Sequence, residues 1–105
     1  MTLFDENADV LRGMEDRGVD LAIERTVDFS HIFENQSDAI GFIRTCAEEG
    51  YEAEDTTDDE MRHIDVTVSK TMIPSCPNIT EVEVLLGKLA ARHNGRTDGW
   101  GFCSD

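Results

Sequence analysis

Apolar and polar side chains alternate along residues 62–71, RHIDVTVSKT, and give the clearest strand signal in the chain. Ile64, Val66 and Val68 share one face of this segment, whereas the polar side chains between them share the other face. The same alternation runs through residues 19–29, VDLAIERTVDF. Two half-buried strands of this length predict the two central strands of a single sheet.

Three segments carry apolar residues at helical spacing and therefore predict helices. The first helix covers residues 5–17 and stops before Gly18. The second is capped by Asn35 or Ser37 and ends at Gly50. The third starts at a capping box of Thr80 and Glu83 and ends at Asn94 and Gly95.

Two shorter strands, at residues 51–55 and 96–104, complete the predicted elements. The order is one helix followed by strand, helix, strand, strand, helix and strand, which after the first helix is the split βαβ arrangement of ferredoxin-like domains. In that topology the first and third strands are central and both crossovers are right-handed. We therefore predict an α+β fold, a ferredoxin-like βαββαβ sandwich preceded by an N-terminal helix, as one domain over residues 1–105.

The composition of the 105 residues excludes several classes of partner. There are 23 acidic and nine basic side chains, for a net charge of −14, and 18 of the acids lie in the first 60 residues. A field of this sign repels phosphate, so direct binding of nucleic acid or of an anionic membrane is disfavoured. There is no apolar run of the roughly 20 residues that a membrane helix needs, and no signal-like start. We expect a cytoplasmic protein.

No motif in the chain predicts catalysis, a cofactor or a metal ion. The three cysteines and three histidines are scattered, without the short spacings that build zinc sites or disulfide frameworks. No phosphate-binding loop, nucleophile elbow or HExxH pattern occurs. The strand at 62–71 also lacks the aromatic residues on which RNA-recognition modules stack bases. We expect no catalytic, cofactor-binding or metal-binding residue.

Acidic residues are densest between Glu48 and Glu60, where eight carboxylates fall within thirteen residues. Blocks of like charge often serve as interaction segments. The candidate partner-binding residues of this segment are Glu52, Glu54, Asp55, Asp58, Asp59 and Glu60. An alternative is that the acids only protect an edge strand from pairing with another sheet and form a solvated turn.

The C-terminal stretch Asp98-Gly99-Trp100-Gly101 contains the only tryptophan. An Asp-Gly pair is typical of a turn or bulge, because glycine accepts positive φ, and it can redirect the tryptophan that follows. Trp100 is either a packing anchor or a ring presented to a partner. Asp98 and Trp100 therefore join the candidate partner-binding residues.

This ending, placed after a helix that stops at Gly95, resembles the Asp-Gly-Trp ending of the RraB family, the regulators of ribonuclease activity B. The similarity covers nearly the whole chain: a leading helix to Gly18, a strand at 21–29, a helix at 39–47, an acidic turn and a strand at 64–68. Thr97 stands where that family usually has tyrosine before the Asp-Gly-Trp triplet.

The resemblance implies a function that composition alone does not. RraB proteins are small acidic proteins that bind the C-terminal scaffold region of the endoribonuclease RNase E and inhibit or remodel its RNA processing. By this resemblance we expect a non-enzymatic regulator whose partner is RNase E or a related ribonuclease scaffold. Separately, we expect a monomer or weak homo-oligomer. The alternatives are a small ligand-binding or enzymatic ferredoxin-like domain of unknown substrate and a homo-oligomeric module whose acidity serves solubility.

Overall fold

The computed structural model describes residues 2–57 and 62–102, which form three helices and a four-stranded antiparallel sheet. The elements in chain order are α1 (Leu3–Asp16), β1 (Arg25–Phe33), α2 (Gln36–Glu48), β2 (Glu52–Asp55), β3 (Ile64–Met72), α3 (Cys76–Arg92) and β4 (Arg96–Phe102). The predicted α+β class is confirmed. None of the described helices combines the length and apolar character needed to cross a membrane.

The strand order across the sheet is β2-β3-β1-β4, and each neighbouring pair is antiparallel. The prediction that the two long alternating strands lie at the centre is confirmed. In their register Phe29 is opposite Val68 and His31 is opposite Val66, so the inward residues of both strands meet across the ladder. The short strands β2 and β4 form the two edges.

All three helices lie on one face of the sheet. Phe42 of α2 packs against the rings of His31 and Phe33, at 5.0 Å between centroids in both pairs. The fully buried core side chains between sheet and helices include Val27, Phe29, Phe33, Ala39, Phe42, Cys46, Val66, Val68, Ile79, Leu86 and Ala90. Burial of this apolar surface is the main term that holds the helices to the sheet.

The opposite face of the sheet carries no helix among the described residues. We call it the open face. On β1, β2 and β3 the register and the alternation of the strands place these polar side chains on it: Thr26, Asp28, Ser30, Glu52, Glu54, Asp65, Thr67, Ser69 and Thr71. Ile32, which is buried, and its β4 neighbour Arg96 lie on the same side at one end of the sheet. An antiparallel sheet with one solvated face explains why most of these positions are hydroxyl or carboxyl residues.

The predicted strand at 19–29 is wrong at both ends, because β1 begins at Arg25 and continues to Phe33. The preceding segment turns instead: the Asp20 carboxylate accepts a hydrogen bond of 2.9 Å from the Ala22 N–H, a local turn that competes with strand pairing. Ile23, which the alternation over residues 19–29 places on the same face as Val27 and Phe29, is 51% exposed. The strand extends at its other end because His31 and Phe33 continue the inward positions.

The predicted start of α3 is also wrong. The helix begins one turn earlier, at Cys76, and the Ser75 side chain caps it by accepting from the Asn78 N–H. Pro77 is tolerated in the first turn, where a helix lacks N–H partners in any case. Thr80 and Glu83, which were predicted to form the capping box, lie inside the helix. Residues 103–104 of the predicted last strand lie outside the described residues.

Candidate protein-binding surface

The carboxylates of Asp28 and Asp65, on the two central strands of the open face, accept hydrogen bonds from hydroxyl groups. Ser69 donates a hydrogen bond of 2.7 Å to Asp28 across the β1–β3 ladder. Thr56 donates one of 2.7 Å to Asp65, and its oxygen lies 2.8 Å from the hydroxyl of Thr67. These neutral partners fix the side chains in place without cancelling their negative charge.

The described part of the chain has two ion pairs, and neither involves a carboxylate of the open face. Arg12 pairs with Asp9 at 3.7 Å on α1, and Arg96 pairs with Glu34 at 3.4 Å at the β4 end of the sheet. Both pairs are exposed to solvent, so each contributes little to stability. The described carboxylates of the open face therefore keep their negative charge without a cationic partner.

The free edge of the sheet at β2 adds further acids to this face. Glu52 and Glu54 are exposed and point to the side of the open face, while Ala53 between them packs against the core. Asp55 accepts hydrogen bonds from the side chain and backbone N–H of Thr57, which lower the pKa of its carboxyl below the ordinary value. Three of the four residues of β2 are thus carboxylates.

Two shallow depressions lie on the sheet beside β2. One has a volume of about 270 Å³ and is lined by Thr26, Gly50, Glu52, Ser69, Lys70 and Thr71. The other, of about 180 Å³, is lined by Glu52, Ala53, Glu54 and Ser69. Glu52 and Ser69 border both, so each depression offers a carboxylate and a hydroxyl oxygen. Lys70 lines only the first, so the second is the better site for a cationic side chain.

Trp100 lies at the other edge of the sheet and on the helix face. Its indole N–H donates a hydrogen bond of 2.9 Å to Oδ1 of Asn7, and its ring packs against Phe102. The Asn7 amide donates in turn to Thr80 and to Glu83, both at 3.0 Å. Asn7 and Glu83 are buried, so this network joins α1, α3 and β4. The structure thus gives Trp100 a packing role at this junction.

A bulge separates Trp100 from Asp98 along β4. The pairing with β1 shifts between Phe29, opposite Trp100, and His31, opposite Thr97. Gly99 has a φ of +95°, a conformation that favours glycine. The expected Asp-Gly bulge is present, and it leaves the Asp98 side chain exposed.

The sequence-predicted binding residues that the structure describes lie at two different edges of the sheet. Glu52, Glu54 and Asp55 lie at the β2 edge, and Asp98 and Trp100 lie on β4, with two strands between them. At roughly 4.8 Å per strand the two edges are about 14 Å apart. The remaining predicted residues, Asp58, Asp59 and Glu60, lie outside the described residues.

Sequence reasoning missed two carboxylates that lie between these edges. Asp28 on β1 and Asp65 on β3 occupy polar positions of the alternating strands and so belong to the open face. Their signal was in the sequence, because alternation already assigned both to the outer side of their strands. Only the register shows that they continue the surface that begins at Glu52 and Glu54.

The histidines and cysteines of the described chain do not meet in a reactive group. His31 is buried against Phe42 and its Nδ1 has no hydrogen-bond partner, while Nε2 of His93 lies 2.9 Å from the Thr45 hydroxyl. Burial raises the pKa of the Cys46 thiol to about 11. In residues 2–57 and 62–102, no cluster of three His, Cys, Asp or Glu side chains could hold a metal ion.

A groove of about 620 Å³ lies away from the open face, between α1 and the segments that contain Leu21 and Pro74. Cys76 lines it, and its thiol donates to the backbone oxygen of Phe4 at 3.2 Å and lies 3.8 Å from the Thr80 hydroxyl. Neither partner is a general base, so among residues 2–57 and 62–102 this thiol has no hydrogen-bonded neighbour that would activate a nucleophilic cysteine.

The comparisons with known proteins give one positive finding. A family model with the description "Regulator of ribonuclease activity B" matches residues 4–102. The match runs from the first turn of α1 to the last residue of β4 and so includes the open face and the network around Asn7. A search of curated protein sequences finds no match.

Proposed function

This chain belongs to the RraB family of regulators of ribonuclease activity, and from this premise we propose that it binds RNase E, or a related ribonuclease scaffold, and modulates RNA processing. It acts as a binding protein in the cytoplasm and carries out no chemistry of its own. The regulatory character follows from the family. What we propose beyond the family is the identity of the partner and the inhibition of RNA processing.

The observation that carries this proposal is the open face, a sheet surface that none of the described helices covers and whose described carboxylates have no cationic partner. Enzymes that process RNA carry basic segments that bind its phosphates. An acidic protein surface is complementary to such a segment and can occupy it in place of RNA. Because the chain itself has a net charge of −14, direct binding to the RNA is disfavoured.

The contact surface that we propose begins at Glu52, Glu54 and Asp55 and includes Asp58, Asp59 and Glu60, which follow in sequence. Asp98 supplies a further exposed carboxylate on β4. Trp100 contributes to this surface indirectly, by fixing the position of β4, because its indole N–H already donates to Asn7.

We also assign the domain to the ferredoxin-like class with an added N-terminal helix. Support comes from the connections: β1 passes through α2 to β2 on the far side of β3, and β3 passes through α3 to β4 on the far side of β1. Each connection skips one strand, as in a split βαβ unit.

The test of the proposed function uses the whole chain and the purified C-terminal scaffold region of RNase E. Biosensor binding at low salt should show a saturable complex, and the chain should slow or redirect cleavage of a structured RNA by the full enzyme. The same chain should show no binding to the RNA alone. Absence of binding to the scaffold at low salt, or unchanged cleavage with a saturating complex, would contradict the proposal.

A further inference from the structure

We propose that the free edge of β2 binds an extended, lysine- and arginine-rich segment of a protein partner as a fifth strand of the sheet. The basic side chains of this segment lie over the open face, against Glu52 and Glu54. The inference rests on the proposed function for the identity of the partner as a ribonuclease. The contact itself requires only a basic segment in extended conformation.

The backbone of β2 supplies the first part of the argument. The Thr56 N–H donates to the carbonyl oxygen of Asp65 on β3 at 2.8 Å. Backbone hydrogen bonding alternates along an antiparallel strand, so the backbone N–H and C=O groups of Glu54 and Glu52 also point toward β3. The backbone N–H and C=O groups of Ala53 and Asp55 therefore point away from the sheet. These four groups can pair with an added strand.

The side chains supply the second part. Glu52 and Glu54 are two residues apart, so both carboxylates lie on the open face at the repeat of an extended chain. In an added strand, every second side chain lies on the same face and opposite these acids. The depression of about 180 Å³, which is lined by both Glu52 and Glu54, provides room for a long cationic side chain. The depression of about 270 Å³ shares Glu52 but is also lined by Lys70, so it is less favourable for a second cation.

The charges at this edge select the occupant. A second copy of the chain, paired edge to edge, would place three carboxylates of β2 against the same three carboxylates, which is unfavourable. A phosphate backbone would meet the same repulsion. The other edge, β4, is interrupted by the bulge at Gly99 and begins with Arg96, so it lacks the acidic repeat. A basic peptide is the complementary partner, and β2 is its site.

The first experiment measures binding of a fluorescein-labelled peptide of alternating lysine and threonine to the full chain by fluorescence anisotropy. A peptide with the same composition in two blocks is the comparison, because it has the same charge without the repeat. The alternating peptide should bind about tenfold more tightly than the blocked one. Equal affinities would overturn the role of the strand repeat.

Ala53→Pro tests the backbone contact. Proline removes the outward N–H and is tolerated on an edge strand, so the pairing of Glu52 and Glu54 with β3 remains. Loss of this hydrogen bond and the clash of the ring with an added strand should lower peptide affinity by about tenfold. If this variant fails to fold, the unmodified chain is tested instead with peptides methylated on alternate backbone nitrogens. The peptide whose methylated nitrogens face β2 should show the same loss of affinity. Unchanged affinity in either measurement would overturn the proposal.

Glu52→Gln/Glu54→Gln tests the side-chain contact. Its matched control is Glu15→Gln/Asp16→Asn, which removes the same charge from the exposed end of α1. The β2 variant should lose about tenfold in affinity at low salt, and the α1 variant less than about twofold, since it changes only the long-range field. Equal losses would show that net charge alone attracts the peptide, and the strand site would be wrong.

These outcomes separate the inference from the proposed function. If the peptides bind β2 as described and the ribonuclease scaffold does not bind, the site stands and the ribonuclease is not its partner. If the scaffold binds the chain and Ala53→Pro and Glu52→Gln/Glu54→Gln bind it equally well, the function stands and the site is wrong.

Discussion

Asn7 connects three elements through one side-chain amide. Its oxygen accepts from Trp100 on β4, and its nitrogen donates to Thr80 and Glu83 on α3. A buried polar network stabilises a fold when every member is paired, and the loss of one partner leaves the others unsatisfied. The fixed position of α1 on the rest of the molecule therefore depends on this residue as well as on Leu11, which packs into the core.

Two substitutions at Trp100 separate its packing from its hydrogen bond. Trp100→Ala removes a half-buried ring and should lower the free energy of unfolding by about 3 kcal/mol. Trp100→Phe keeps a ring but leaves Asn7 Oδ1 without its donor, at a cost of about 1 kcal/mol. Urea unfolding measures both. An unchanged midpoint for Trp100→Ala together with lost partner binding would assign the ring to the interface instead.

His31 makes the stability of the fold sensitive to acid. Burial lowers the pKa of its imidazole from 6.5 to about 4, because the charged form would lie in the core. The neutral form is therefore favoured by folding. Its contribution is complete above pH 6.5 and declines as the pH falls toward 4, where the folded protein also takes up the proton. The total loss over this range is about 3 kcal/mol.

The measurement for His31 is the free energy of unfolding at about pH 7.5 and about pH 5.5. The wild-type chain should lose about 1.4 kcal/mol between them from this residue. His31→Phe cannot titrate at this position and fills a similar volume beside Phe42, so it should lose less over the same interval. Equal losses in the two proteins would exclude His31 as the source.

At the scale of elements, the start of α3 gives a prediction that distinguishes the structure from the sequence pattern. Ser75→Ala removes the side chain that accepts from the Asn78 N–H and should cost about 1 kcal/mol, as for other helix caps. Ser75→Asn is the control, because asparagine also caps and should retain most of the stability. A thermal melt compares the three proteins. No difference between Ser75→Ala and the wild type would place the start of the helix elsewhere.

The sequence predicted the elements whose signals are local. Alternation found β3 within two residues at its start, and the caps at Asn35 and Gly50 bounded α2. It failed at β1, since residues 19–24 alternate like a strand but turn through the Asp20 side chain. It failed at α3 because Thr80 and Glu83 have the spacing of a capping box but lie inside the helix, whereas Ser75 caps it and Pro77 is compatible with a first turn.

The candidate surface was predictable only in part, for a similar reason. The acidic run marked Glu52 and Glu54 directly, since they are close in sequence. Asp28 and Asp65 join them only through pairing of distant strands, and no local pattern specifies that register. Asn7 carried no signal for its role, because a polar residue on a helix acquires a partner only when the elements pack together.

At the scale of the whole molecule, the net charge of −14 acts on folding and on binding in opposite directions. Crowded carboxylates repel one another in the folded state, and salt screens that repulsion. The attraction between the acidic surface and a basic partner is screened by the same ions, over about 8 Å at physiological ionic strength. We expect the melting temperature to rise with salt while the affinity for the ribonuclease scaffold falls.

Neutralising part of the acidic run should reproduce both effects without salt. Changing Asp55, Asp58, Asp59 and Glu60 to Asn or Gln should preserve or raise the melting temperature, because self-repulsion decreases, and asparagine at position 55 keeps an oxygen that can accept from Thr57. Association should weaken mainly through a slower encounter rate, since electrostatic steering acts before contact. Biosensor kinetics at low and high salt measure this for both proteins. Equal affinity and equal salt dependence would mean that these acids only keep the sheet edge from pairing with other sheets, because a charged edge can serve that purpose without any partner.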